Sequence, residues 1–260
     1  MKACKNKMHL SWALDVFLFA AAFCAGVVDT VAGGGGLICV PALGLTGMGT
    51  VAVFGTNKLQ SVLGQLSATL KFWRQGGMDF SPLRRGLLCT VVGALAGAML
   101  LQIVSEVFLK RLVPWMLFGV FLYYVLSSDR KDVTGESRLP PHPCKLQPLG
   151  VAIGFYNGFF GPGTGSIWTV ALSRTYQLRI NAATMYANPL NMAGNIAALS
   201  ILISSSGVDY RRALIMGAGS FLGAQIGGNV VIHKSARLLR TVFMTLMLVS
   251  IVGSFLRAYG

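Results

Sequence analysis

The chain has 260 residues, of which 54% are hydrophobic and 12% are charged, and its formal net charge is +14. Soluble domains carry about a quarter charged residues, so this composition argues against a water-soluble protein and indicates one that spans a lipid bilayer. The positive charge does not indicate a nucleic-acid-binding protein, because the sequence has no basic helix face, zinc-ligand spacing or aromatic RNA-binding motif. We expect a lipid bilayer around the chain and no bound nucleic acid.

Apolar runs, taken in chain order, outline the helices of the first half. The N-terminus is basic at Lys2, Lys5 and Lys7 and apolar from Leu10, which resembles a signal peptide. So many apolar segments follow that a first membrane helix is the better interpretation. A spanning helix needs about 20 residues, so the short apolar run after the first glycine cluster predicts the returning arm of a helical hairpin. The predicted elements of this first repeat, residues 1–126, are a hairpin over 10–47 and spans over 51–72, 83–104 and 108–126.

The longest hydrophilic stretch, residues 127–148, predicts a linker between two similar halves. After it the same order of elements returns in residues 149–260. The predicted elements of this second repeat are a hairpin over 149–173 and spans over 182–203, 213–232 and 238–256.

The two halves also match residue by residue. One constant shift places Gly26, Gly33, Gly35 and Thr56 on Gly154, Gly161, Gly163 and Thr184, and it places Asp29 on Asn157. A slightly larger shift places Gly64, Gly93 and Gly97 on Gly194, Gly223 and Gly227. A returning hairpin followed by three crossings is an odd number of crossings, so the second half starts on the opposite face of the membrane. The predicted fold is an all-α polytopic membrane protein with about eight transmembrane helices in two inverted repeats, each a glycine-broken hairpin plus three spans.

Lys and Arg are unequally divided between the two predicted sides of the membrane. The loops that include Arg84, Arg130 and Arg174 carry more of these residues than the side that holds Lys110, Arg211 and both termini. The positive-inside rule therefore predicts a multi-pass protein of the cell inner (cytoplasmic) membrane with both termini on the outer side. The basic N-terminus argues the other way.

The glycine clusters at the hairpin tips predict an anion site. Unwound backbone in a bilayer costs several kcal/mol per unpaired group unless it faces a polar cavity or is buried in protein. Two helix N-termini meeting there would offer free N–H donors and the positive ends of two helix dipoles. The structural alternative is that glycine lets helices pack closely, which we favour for Gly93 and Gly97. The tip residues predicted to bind substrate are Gly33, Gly34, Gly35, Gly36, Gly163, Thr164 and Gly165.

Polar residues inside two predicted spans complete the candidate site. Lys58 lies within an apolar span, where an unpaired charge costs roughly 2.5–3.5 kcal/mol, so we expect it to face the interior and pair with Asp29 or a substrate anion. The alternative is that it reaches back to the membrane interface. One face of the predicted span over 182–203 carries Asn188, Asn191 and Asn195. Amides on such a face either line a polar path or hold helices together. The further substrate-binding candidates are Asp29, Thr56, Asn57, Lys58, Asn188, Asn191 and Asn195.

These motifs resemble the sulfite exporter TauE/SafE family of membrane transporters. The matching segments are "GVVDTVAGGGGLICVPAL", "GTNKLQ", "GFYNGFFGPGTGS" and the Asn-rich run after Asn181, in that order. The resemblance implies a bundle of inverted repeats that transports small sulfur-containing anions. Many relatives have Asp at the position of Asn157, and His and Lys at those of Tyr186 and Asn188. This chain thus keeps one membrane-embedded Asp/Lys set instead of two, which puts in doubt any mechanism that needs charges in both halves.

The function that we predict is secondary transport of a small anion, a sulfur oxyanion or sulfonate such as sulfite, thiosulfate or sulfoacetate, by alternating access. A passive anion channel and a non-transporting structural or assembly subunit are the alternatives. The scattered cysteines and histidines predict no metal and no cofactor, and the embedded segments have no nucleophilic catalytic set or phosphate-binding loop, so we do not expect an enzyme. The sequence does not specify the oligomeric state.

Overall fold

The computed structural model describes residues 2–127, 136–140, 143–204 and 208–233, together with residues 248, 252–253 and 255–256. These residues are helical, as predicted, and contain no strand; an isolated parallel bridge joins Glu136 to Leu178. A one-turn 3-10 helix, Ser81–Leu83, directly precedes the helix that begins at Arg84. The helices of the described residues are α1 (Lys2–Ala32), α2 (Gly36–Gly44), α3 (Thr50–Arg74), α4 (Arg84–Ile103), α5 (Glu106–Ser127), α6 (Leu146–Phe159), α7 (Thr164–Tyr176), α8 (Ile180–Ile203) and α9 (Tyr210–His233). The predicted last span, 238–256, and much of the predicted linker lie outside the described residues, apart from isolated positions.

Three stretches of the described helices are long and apolar enough to cross a bilayer: Trp12–Ala32, Ser81–Ile103 and Tyr210–Ile232. Their outward faces are apolar; on α4, for example, the exposed fractions of Leu88 and Val92 are 68% and 62%. Such faces contact hydrocarbon in a bilayer, whereas contiguous apolar surface is uncommon on soluble proteins. Helices α3 and α8, with 25 and 24 residues, have comparable length and carry most of the buried polar side chains.

Glycines bring the helices of two pairs into backbone contact. A methyl group on Gly97 of α4 would collide with the Phe155 carbonyl of α6, and one on Gly223 of α9 would collide with the Phe23 carbonyl of α1. Gly93 behaves as Gly97 does, so the predicted role of Gly93 and Gly97 in close helix packing is confirmed. Small residues allow this approach because dispersion contacts grow steeply as helix axes come closer.

The two halves of the chain interlock. Helix α1 packs most extensively on α9, and α4 packs most extensively on α6. Helix α3 also packs on α9, α8 packs on α4, and α3 and α8 contact each other in the centre. Both clusters of buried apolar side chains draw residues from the two halves. The buried polar side chains of α3 and α8 therefore lie where the halves meet.

Candidate functional site

Two helix breaks form the backbone of the candidate site. The first separates α1 from α2, and the second separates α6 from α7. Gly33 has φ 71° in the first break, and Gly161 and Gly163 have φ 94° and 79° in the second. Glycine adopts these left-handed values at little cost, whereas other residues pay about 1–2 kcal/mol there. The two glycine-rich motifs thus produce sharp reversals where continued helix would carry the chain through the bundle.

The two breaks touch each other. The Ser166 N–H donates to the Gly33 carbonyl at 3.2 Å, and the Ser166 hydroxyl donates to the Ala32 carbonyl. A methyl group on Gly33 would collide with the backbone of Gly165 and Ser166. The structure therefore places the two predicted tips side by side.

Four glycine N–H groups at the breaks have no acceptor in the described part of the chain. Neighbouring donors are satisfied: the Gly35 N–H, for example, donates to Asp29 Oδ1 at 2.9 Å. A buried N–H without an acceptor costs about 1–3 kcal/mol, so these groups are available to a ligand that brings oxygen atoms. They belong to Gly34, Gly36, Gly163 and Gly165, all of which are buried.

Lys58 reaches the second break from the middle of α3. Its side chain is 1% exposed, and its Nζ donates to the Asn157 carbonyl at 2.6 Å and to Asn157 Oδ1 at 3.3 Å. A methyl group on Gly161 would lie 3.1 Å from this nitrogen. The predicted pairing of Lys58 with Asp29 is not formed, because the interlocked halves bring α3 against the end of α6 and the ammonium meets neutral oxygens there.

Asp29 belongs instead to the first break. Its Oδ1 accepts the Gly35 N–H, and its Oδ2 accepts from Gln65 Nε2 at 3.2 Å. Gln65 Oε1 in turn accepts from Asn195 Nδ2 at 3.0 Å, which joins α3 to α8. We did not predict a role for Gln65. Its position two turns after Lys58, and its match with Asn195 under the shift that aligns Gly64 with Gly194, were the signals for it.

The predicted asparagine stripe of α8 is buried, but its members have different partners. Asn191 accepts from Asn157 Nδ2 through its carbonyl at 3.1 Å and its Oδ1 at 3.0 Å. Asn195 bonds to Gln65, whereas Asn188 donates to the Thr184 carbonyl of its own helix at 3.0 Å. Asn191 and Asn195 thus connect the second and first breaks, respectively, to α8.

Three further predicted residues bond within the protein. The Thr56 hydroxyl accepts the Asp209 N–H at 3.1 Å, so it holds the start of α9. The Thr164 hydroxyl donates to the Gly161 carbonyl at 2.5 Å, inside the second break. Asn57 Oδ1 accepts from Gln60 Nε2 at 3.1 Å, and a methyl group on Gly36 would lie 3.5 Å from Asn57 Nδ2. Asn57 is therefore at the breaks, while Thr56 serves helix packing.

The chain is similar to proteins that are described as membrane transporters. The family model described as "Sulfite exporter TauE/SafE" matches residues 18–254. The "Probable membrane transporter protein ORF9" of Sinorhizobium sp is 37% identical over 90% of this chain and 90% of its own. A "Probable membrane transporter protein" of Haemophilus influenzae is 33% identical over 93% and 95%, and YfcA of Escherichia coli K12, which has the same descriptive name, is 34% identical over 87% and 84%. No solved structure matches the chain.

Proposed function

The chain belongs to the sulfite exporter TauE/SafE family, and we propose that it is a secondary transporter that carries a small anion, of the sulfur oxyanion or sulfonate type, across the cytoplasmic membrane. The family and the names of the relatives support a membrane transporter. The anion and the mechanism are inferred from the two helix breaks.

The observation that carries this proposal is the buried ammonium of Lys58. It is 1% exposed, and its partners among the described residues are the neutral oxygens of Asn157. A buried charge is retained in a membrane protein where it is compensated or functional. An anion bound beside Nζ would supply the missing negative charge.

The glycine N–H groups provide the rest of the anion site. Gly36 lies at the N-terminus of α2 and Gly165 in the first turn of α7, where the positive ends of the helix dipoles favour an anion. With Gly34 and Gly163, they offer buried donors that have no acceptor in the described ranges. Several N–H donors together with an ammonium suit an oxyanion, because each of its oxygens accepts more than one hydrogen bond. Asn57, which lies beside Gly36, is a further donor.

Alternating access would come from movement of two inverted repeats against each other. This arrangement is supported by how the halves pack. The predicted counterpart of α1 is α6, and that of α4 is α9. Helix α1 packs on α9, and α6 packs on α4, so each pair joins one helix from each half in the same way. Helices α3 and α8, which are also predicted counterparts, meet between these pairs. Rocking one pair relative to the other would expose the breaks to one side of the membrane at a time. We further propose that the chain lies in the inner membrane with both termini on the outer side.

The proposal is tested by flux of radiolabelled sulfite and thiosulfate into proteoliposomes, with the native chain and Lys58→Met. Methionine keeps the apolar stem of the lysine and removes its charge, so we expect flux to fall by about 100-fold, as for the loss of a buried charged contact of about 3 kcal/mol. Lys110→Met is the matched control, since the Lys110 side chain is 62% exposed. Its flux should equal that of the native chain.

The same vesicles distinguish the alternatives. With the membrane potential held at zero, a carrier shows faster uptake when the opposite side is preloaded with unlabelled anion, whereas a passive channel does not. Native flux that Lys58→Met leaves unchanged would contradict the proposed site. An absence of flux for sulfite, thiosulfate and sulfonates in the native chain would contradict the anion assignment and favour a structural subunit.

A further inference from the structure

A second polar site lies beside the first break, and Lys58 is not among the residues that line it. It is a small cavity between α1, α3 and α9. The oxygen-bearing side chains that line it are Asp29, Thr30, Gln60, Ser61 and Ser220. We propose that this cavity binds a monovalent cation, Na⁺ or a proton carried on water, which is moved together with the anion.

The size of the cavity selects a small occupant. The room open to the centre of a water-sized sphere is about 10 Å³, which is about what one water molecule requires. A monatomic cation or a single protonated water fits this space. An oxyanion with four or more heavy atoms does not, so the cavity is distinct from the anion site proposed at Lys58.

The charge of the cavity selects a cation. Both carboxylate oxygens of Asp29 accept N–H groups from neutral donors, Gly35 and Gln65, and no cation lies within ion-pair distance among the residues described. Asp29 is also in the last turn of α1, where the negative end of the helix dipole disfavours a carboxylate and favours a cation. One carboxylate balances one positive charge. Helix ends and unwound carbonyls coordinate Na⁺ or H⁺ in other transporters built from broken helices.

The neutral oxygens of the cavity are oriented as acceptors. The Thr30 hydroxyl donates its hydrogen to the Gly26 carbonyl at 2.8 Å, and the Ser220 hydroxyl donates to Gln60 Oε1 at 2.5 Å. Ser61 Oγ accepts from Gln60 Nε2 at 2.9 Å. Since these hydroxyl hydrogens are engaged elsewhere, lone pairs of Thr30 and Ser220 remain for a hard cation, which prefers oxygen ligands.

Hydrogen bonds connect this cavity to the anion site. Gln60 Nε2 donates both to Ser61 at the cavity and to Asn57, the residue next to Lys58. Asp29 is joined through Gln65 to Asn195 of α8, the helix whose Asn191 holds the Lys58 partner Asn157. Occupation of the cavity would therefore favour the arrangement of α3 and α8 that binds the anion. This coupling rests on the proposed function, whereas cation binding in itself does not.

The first experiment measures cation binding to the purified full chain without any transported anion. Binding of ²²Na⁺ is measured at neutral pH, and proton uptake is measured with a pH indicator in choline buffer free of Na⁺. We expect one of the two signals in the native chain and its loss in Asp29→Asn. Asp79→Asn is the matched control, because Asp79 is an exposed loop carboxylate. Ser220→Ala removes one cavity oxygen and leaves the carboxylate, so it should weaken the same signal about tenfold, which keeps the test valid if Asp29→Asn fails to fold.

The second experiment measures thiosulfate uptake by proteoliposomes under an inward Na⁺ gradient at equal pH, and under an inward proton gradient without Na⁺. We expect one gradient to raise the initial rate by about tenfold in the native chain and Asp79→Asn, but not in Asp29→Asn. Anion flux that neither gradient changes, or a gradient response retained by Asp29→Asn, would overturn the inference while the anion transporter stands. Cation binding that depends on Asp29, in a chain without anion flux, would support the cavity and contradict the proposed function.

Discussion

The first and second helix breaks have similar backbones, but the charged side chain at the first is acidic and the one at the second is basic. Each reverses the chain through left-handed glycines and leaves glycine N–H groups without acceptors in the described residues. The first break holds a carboxylate, Asp29, whereas the second holds the corresponding amide, Asn157, against the ammonium of Lys58. The difference of one side chain separates a negative site from a positive one within the same architecture.

The comparison shows that two helix breaks with similar backbones can carry different functional side chains. Lys58 lies on α3, in the first half, yet it contacts the second break, because the halves interlock. Had position 157 kept a carboxylate, Lys58 would have an internal counter-ion there. With asparagine the ammonium stays uncompensated among the described residues, which leaves its charge to a ligand.

The shared backbone of the breaks is tested most severely by Gly33→Ala. The added methyl group would collide with the Gly165 backbone in a left-handed conformation, so we expect a loss of about 3 kcal/mol or more in the free energy of unfolding. Thermal unfolding in detergent measures it. Gly165→Ala meets Gly33 from the other side and should cost a similar amount.

Gly47→Ala is the control for Gly33→Ala. Gly47 also has a left-handed φ of 76°, but a methyl group there meets open space, so its cost should be about 1 kcal/mol. Equal losses for Gly33→Ala and Gly47→Ala would mean that contact between the breaks contributes nothing to stability.

The chemical difference between the breaks is tested by Asn157→Asp, which makes the second break a copy of the first. The new carboxylate would pair with Lys58 and occupy the place of the anion. We expect anion affinity to fall by about 30-fold, or about 2 kcal/mol, in an equilibrium binding assay with thiosulfate. Asn181→Asp, an exposed change of the same kind at the start of α8, should have no effect. Unchanged affinity in Asn157→Asp would show that the anion is not held at Lys58.

The connection between the two halves is tested by Gln65→Leu. This change leaves Asp29 Oδ2 and Asn195 Nδ2 without their partner, so we expect a loss of about 1.5 kcal/mol in the free energy of unfolding, as for a hydrogen bond to a charged group. Gln102→Leu is the matched control, because Gln102 is exposed and its hydrogen bond within the described residues is to the Ile201 carbonyl of α8. In a double-mutant cycle, Gln65→Leu and Asp29→Asn should show a coupling of about 1 kcal/mol. Additive losses would place the two residues in separate networks.

The sequence predicted the helices and the breaks because both depend on local properties. The apolar composition predicts a helical chain, and the described residues confirm it; Gly93 and Gly97 pack helices closely, as predicted. Helix α7 ends at Tyr176, beyond the predicted end of the hairpin at residue 173, because its last turn is polar and hydropathy does not detect it. Predictions that concern the last span stay predictions, since it lies outside the described residues.

The partners of the site residues could not be predicted, because they depend on how the halves interlock. Lys58 and Asp29 are opposite charges in one half, which favoured pairing them, but each meets a neutral group brought by its neighbours. The proximity of Thr56 to Lys58 in the sequence favours a position at the site. Each residue along a helix turns the side chain by about 100°, and Thr56 faces the start of α9. Gln65 was missed because an uncharged amide in a span gives a weak signal.

The smallest effect concerns how the central helices start, where the two halves also differ. The Thr50 N–H at the start of α3 donates to the Glu106 carboxylate at 3.3 Å, whereas the Arg179 N–H before α8 donates to the backbone carbonyl of Glu136. Only the first contact involves a titrating group. The hydrogen bonds from the Lys110 ammonium and from the Thr50 N–H hold the pKa of Glu106 below its ordinary value.

A carboxylate whose pKa is lowered by folding stabilises the native state above its unfolded pKa, and that stabilisation disappears as the pH falls through the folded pKa. The native chain should therefore unfold at a slightly higher temperature than Glu106→Gln at pH 7, by about 1 °C because the pair is exposed. The two should converge below about pH 4. Lys110→Met removes the principal cause of the lowered pKa and should reduce the difference at pH 7. A difference between native and Glu106→Gln that persists unchanged at pH 3 would show that the side chain acts through packing and not through its charge at the N-terminus of α3.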